Sequence, residues 1–203
     1  MKRFMFLVVA LFIASALIIS CGSSNPKVAA SNPNAMEVIE DPFQDLTDLS
    51  NKIIESGGVA AVGQGTSMRQ DLAKKKAVTD AMGNLAQVFN TKVQRLNKSF
   101  QEEIGSTNDS EINEAFSTVT KTLTSQLLRG AVTKKVKFMR NKETGQITAA
   151  AVVVIDPKTL NQSILDELQN KKPQLYQRFR ATKAYEELKK EMEDYEKQQN
   201  QGF

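Results

Sequence analysis

The sequence has no tryptophan, no histidine and one cysteine in 203 residues. Without histidine it lacks the usual general base near neutral pH. With only the single cysteine besides, the usual soft metal ligands are missing as well, and no metal or cofactor is expected. Aromatic residues make up 6% of the chain, which argues against a platform for stacking sugars or bases. Charged residues are 25% and mixed in sign. The net charge of +4 and the pI near 9.1 come from a small excess spread along the chain, so no nucleic-acid partner is expected. The segment Gly63-Gln64-Gly65 lacks the third glycine of a dinucleotide fingerprint, with Met68 in its place, and no P-loop lysine pattern occurs. Ser67 with Lys74 is the one Ser–Lys pairing worth naming for a nucleophile, and helix capping accounts better for Ser67. The expectation is a protein that is not an enzyme.

What is present begins with the cysteine. Lys2 and Arg3 form a short basic start, Phe4 to Ile19 an apolar run broken by Ser15, and the run ends Ile18-Ile19-Ser20-Cys21-Gly22. A spanning helix needs about 20 apolar residues, and a plain secretory signal favours an A-x-A-like site. The pattern resembles a bacterial lipoprotein signal, in which residues 1–20 are removed and Cys21 is lipidated as the new N-terminus. Each buried acyl methylene adds about 0.8 kcal/mol, and the two or three chains of such lipoproteins imply near-permanent anchoring. Gly22 stands where Asp would resemble an inner-membrane retention signal, so the expected location is the outer membrane, on either its periplasmic or its surface face. Residues 21–42, punctuated by Pro26, Pro33 and Pro42, read as a tether reaching about 25 Å as a coil.

Beyond the tether the periodicities predict an α+β domain over residues 43–172. Phe43, Leu46, Leu49 and Ile53 share a helix face that Gly57-Gly58 ends. Gly58 to Gly65 reads as a strand, and Ser67-Met-Arg-Gln70 as a capping box. A long helix to Glu103 follows, with Val78, Met82, Leu85, Phe89, Val93, Leu96 and Phe100 recurring every three or four residues. Gly105 and Asn108 interrupt it. A second helix runs from Ser110 to Gly130. Ala131 to Asn141 reads as a strand with Val132, Val136 and Phe138 on one face and Lys135 and Lys137 on the other. Gly145 completes a hairpin turn, and ITAAAVVVI is a strand buried on both faces or central in its sheet. Asp156-Pro157 opens a further helix. Pro173 begins a last amphipathic helix, residues 173–203, with a polar tail from Lys197. The cheapest burial of these stripes is a small antiparallel sheet of three strands with the long helix across one face.

Gly63 and Gly65 before the helix allow either a close approach of that helix or an anion on exposed amides. Arg69 and Lys74-Lys75-Lys76 read either as a solvated face or, with Gly65, as a site for an anionic ligand or polymer. Glu186, Glu187, Glu191, Glu193 and Asp194 among Lys183, Lys189 and Lys190 read as a surface helix face supported by i,i+4 pairs.

The strand GVAAVGQGTS, the helix DLAKKKAVTDAMGNLAQVF with Ala73, Ala77 and Ala81, and the Asn84-Leu85-Ala86 step follow a lipoprotein signal. Over about residues 57–155 this resembles the LPP20 family of bacterial lipoproteins. The resemblance implies a compact α+β fold, envelope location and no catalytic residues. The resulting expectation is a lipid-anchored structural or assembly component of the envelope. Its partners would be other envelope proteins or a second copy, bound through Phe179, Tyr185, Leu188 and Met192 of the C-terminal helix. The alternative is a binding module for an anionic ligand, using Gly65, Arg69, Lys74 and Lys75.

Overall fold

The computed structural model describes residues 40–106 and 109–200. The signal, Cys21, the tether up to residue 39 and Asn108 lie outside the described residues. Among those described, the chain runs α1 (Gln44–Glu55), β1 (Val59–Ser67), α2 (Gln70–Glu103), α3 (Ser110–Gly130), β2 (Val132–Arg140), β3 (Ile147–Ile155), α4 (Pro157–Lys171), α5 (Pro173–Phe179) and α6 (Lys183–Asn200). The three strands form one antiparallel sheet in the order β1–β3–β2.

The unbroken apolar run of β3 is explained by what covers it. Alternate side chains of a strand point to opposite faces. Ala150 and Val152 pack with Phe43 and Leu46 at the start of α1. Ala149, Ala151 and Ile147 pack under Ala73 and Ala77 of α2. Both faces of the central strand are therefore buried, one by each helix.

The small residues set how close α2 lies. A Cβ placed at Gly63 would sit 2.0 Å from the Ala81 nitrogen and 2.5 Å from the Ala77 carbonyl oxygen. The glycines serve helix–sheet contact. At that spacing α2 also covers the outer edge of β1. Lys76 Nζ donates to Thr66 O (3.1 Å), Asp80 accepts from Gln64 N (2.9 Å) and Asn84 Nδ2 donates to Val62 O (2.9 Å). Every fourth residue of the helix meets every second residue of the strand, because both steps span about 6 Å.

α2 has 34 residues, about 50 Å, and outruns the sheet. Leu85, Phe89, Val93, Leu96 and Phe100 pack with Ile112, Phe116, Val119 and Leu123 of α3 and with Leu160, Ile164 and Leu168 of α4. Asp109 caps α3 by accepting from Glu111 N and Ile112 N, and Asp156 caps α4 by accepting from Thr159 N.

Three expectations need correction. Ser67 is not a helix N-cap. It remains in the ladder opposite Ile147, its Oγ accepts from Arg69 N at 3.2 Å, and α2 starts at Gln70 without a side-chain cap. In β2 a bulge between Thr133 and Lys135 changes the parity, so Val132 lies opposite Val154 on the α1 side, while Val136 and Phe138 lie on the α2 side. Val132 and Phe138 stay exposed there rather than forming a core stripe.

The helix expected from Pro173 onward is two helices, and both pack on the rest of the chain. From Asp41 on, the chain forms one compact unit. Thr182 breaks the helix, its Oγ donating to Phe179 O (2.6 Å) and accepting from Tyr185 N (3.4 Å). The Glu103 carboxylate accepts from Lys183 N (2.6 Å) and Ala184 N (3.0 Å), which places a negative charge at the N-terminus of α6. The helix then continues through Lys197 to Asn200.

Candidate functional site

Where α2 leaves the sheet, a cleft of about 700 Å³ opens between Gly57–Gly58 and the first residue of β1, the middle of α2 and the first turns of α6. Its apolar wall is Ile54, Val59, Val88, Leu96 and Leu188. Its polar wall is Asn84, Gln87, Thr91, Lys92, Arg95, Ser99, Glu187 and Glu191. The volume lies in the range of small-molecule sites.

Lys92 organises the polar wall. Its ammonium donates to the Gly57 carbonyl and to Glu191 Oε2, the latter at 2.7 Å. The same Glu191 oxygen accepts from Asn161 Nδ2 at 2.7 Å. Asn161 is fully buried, and its amide also donates to the Leu188 carbonyl (3.3 Å). Its Oδ1 has no partner among the described residues. Three elements distant in sequence, α2, α4 and α6, thus meet at one carboxylate, beside the glycine turn that leads into β1. Burial lowers the Lys92 pKa from the ordinary lysine value, with the charge of Glu191 opposing the shift. Arg95, one turn along α2, is exposed at the mouth. The lining thus carries two cations, Lys92 and Arg95, and two carboxylates, Glu187 and Glu191, beside an apolar wall. With Lys92 and Glu191 paired, Arg95 is the cation that would meet an anionic head.

The residues expected to hold an anion do not make this site. Gly65 lies opposite Ala149 in the ladder, and a Cβ there would be 2.5 Å from the Ala77 nitrogen, so α2 covers it. Arg69 is held by Asp71 at 2.7 Å. Lys74 and Lys75 point to solvent from α2. Nor do Phe179, Tyr185, Leu188 and Met192 form an outward partner face. Phe179, Leu188 and Met192 are buried in the chain's own core and Tyr185 packs against it. Phe179 meets Phe100 edge-on at 5.3 Å and Tyr185 at 5.9 Å. The stripe is satisfied within the chain.

Composition and motif do not single out Lys92, and charge pattern alone puts Glu191 on a solvated face. A signal existed. Lys92 falls on the inward row Leu85, Phe89, Leu96, and Glu191 stands next to Met192 and one turn from Leu188. A charge on each of two apolar rows marks a pair that can meet. No family model, curated protein or solved structure matches this chain.

Proposed function

We propose that this chain is a non-enzymatic lipoprotein, anchored through acylated Cys21 to the outer membrane, that acts as a structural or assembly component of the cell envelope. The observation that carries the reading is the order basic start, apolar run, Ser20-Cys21-Gly22 and proline-punctuated tether, ahead of a folded unit that begins at Asp41. The resemblance to the LPP20 family supports it. Labelling cells with an alkyne fatty acid tests the anchor. Label is expected on the wild-type chain and absent from Cys21→Ser, and label retained on Cys21→Ser sinks the anchor. Crosslinking the anchored chain in membranes tests the assembly role. A defined set of envelope proteins is expected, lost in Cys21→Ser, and a clean preparation of the chain alone argues against it.

The cleft favours a second reading, a binding module for a molecule with an anionic head. Arg95 and Lys92 replace the basic run around Lys74 as its residues. Dodecyl phosphate is expected to raise the melting temperature of the wild type and not of Arg95→Glu. An equal rise in both would remove the cleft from consideration.

A further inference from the structure

The two edges of the sheet are built differently. On the β1 edge, Lys76, Asp80 and Asn84 bond three of the outward backbone groups, Thr66 O, Gln64 N and Val62 O. β2 is the other outer strand, and among the described residues no side chain bonds its backbone. It is exposed over most of its nine residues, so it presents a row of unpaired amides and carbonyls to solvent, a template for another strand.

Its side chains restrict which strand fits. Residues 132–142 carry five cations, Lys134, Lys135, Lys137, Arg140 and Lys142, and no acid. Asp45 bridges Lys135 and Lys137, at 2.7 Å to each, and its single charge offsets only one of the two. Lysines and a bulge on an edge deter indiscriminate pairing. A second copy of β2 would set cation against cation, which is destabilising for directly opposed residues. An acidic strand turns the same cations into attraction. The register adds a pattern. Lys135, Lys137 and Met139 lie on the α1 side and Val136, Phe138 and Arg140 on the α2 side, with Phe138 and Met139 40% and 48% exposed. A strand that alternates acidic and apolar residues meets lysines with one face and Phe138 with the other.

We propose that β2 receives an extended acidic segment of a partner protein as a fourth strand of the sheet. Backbone pairing supplies the affinity, and the cations select the partner by charge. This names a partner class for the assembly role above and takes its cellular sense from that role. The test does not use the anchor, so the two can fail separately.

The full chain in neutral detergent is titrated with a fluorescent peptide of alternating Glu and Val, as long as β2. Controls are the same peptide N-methylated at alternate amides, a Lys/Val version, and phosphatidylglycerol vesicles. The Glu/Val peptide is expected to bind at least about tenfold tighter than either control peptide and to slow amide exchange in β2. The double variant Lys134→Glu, Arg140→Glu is expected to lose about tenfold in binding with an unchanged melting temperature. Equal binding of the N-methylated peptide would reduce the contact to charge alone and overturn strand addition. So would the absence of Glu/Val binding, or a preference for vesicles over peptide. A dimer of the free chain that Lys134→Glu, Arg140→Glu dissolves would assign the edge to a second copy instead.

Discussion

Gly63 lies under three backbone atoms of α2, and none can move aside as a side-chain tip could. Gly63→Ala should therefore push the helix off the sheet, at a cost of about 3 kcal/mol or more, measured as a fall in the urea midpoint. The Lys92–Glu191 pair has a different energetic character. Its side chains are 18% and 33% exposed, so it is only partly shielded from water. Glu191→Gln leaves Lys92 without its counter-charge, and a loss of about 2 kcal/mol is expected, below the range for fully buried pairs. Replacing both partners by Met and Leu should cost less than that single change. The pair also gives a pH signature. Burial lowers the folded-state pKa of Lys92 below the ordinary 10.5, so between the lowered value and 10.5 the unfolded chain binds more protons. Stability contributed at this site then rises with pH across that window. Lys92→Met should remove that rise, and denaturation of the two proteins at alkaline pH compares them directly.

At the scale of elements, α1 is fastened to the sheet by Phe43 and Leu46 and by Asp45 between Lys135 and Lys137. Hydrogen bonds from the two lysines hold the Asp45 pKa at about 2, against an ordinary 3.8. Their contribution is complete above the ordinary value and is lost as pH falls through about 2. The protection of α1 amides relative to their intrinsic exchange rates should fall over that interval in the wild type, and Asp45→Asn should be less protected already at neutral pH with a flatter acid response. The β1 edge offers a second check. Removing its covering groups in the triple variant Lys76→Ala, Asp80→Ala, Asn84→Ala exposes a nine-residue strand edge, and dimers or larger species are expected by sedimentation. These elements differ in how far they were legible in the sequence. β3, the body of α2 and the Asp156 cap rest on patterns within a dozen residues and are legible there, whereas the start of α2 at Gln70 is not. The bulge in β2 carries no Gly or Pro to mark it, and one extra residue inverted the assignment of Val132. The stripe from Leu175 to Met192 keeps its spacing across Thr182, so the break there left no gap in the periodicity. The contact between Glu103 and Lys183 joins residues 80 apart, and that of Lys92 with Glu191 residues 99 apart. No local pattern carries such pairings, and for that reason the cleft was not found while the layers around it were.

Across the whole molecule, α2 belongs to two cores of different composition. Its first half rests on alanine and glycine against the sheet, and its second half on Phe100, Phe116 and Phe179, all within about 6 Å of one another by ring centre. Phe179→Ala should cost about 3–5 kcal/mol and loosen α5 and α6 before the sheet, because Phe179 ties α5 to Phe100 of α2 and Phe116 of α3, and the sheet has no part in that cluster. The distribution of aromatics makes this visible without a label. The chain has no tryptophan, and its three tyrosines, Tyr176, Tyr185 and Tyr195, all belong to α5 and α6. Its intrinsic ultraviolet emission is consequently a gauge of those two helices alone, whereas circular dichroism sums over every element. A gap between the two melting curves would time the departure of the C-terminal helices from the wall of the cleft, and a ligand seated against Leu188 would close that gap.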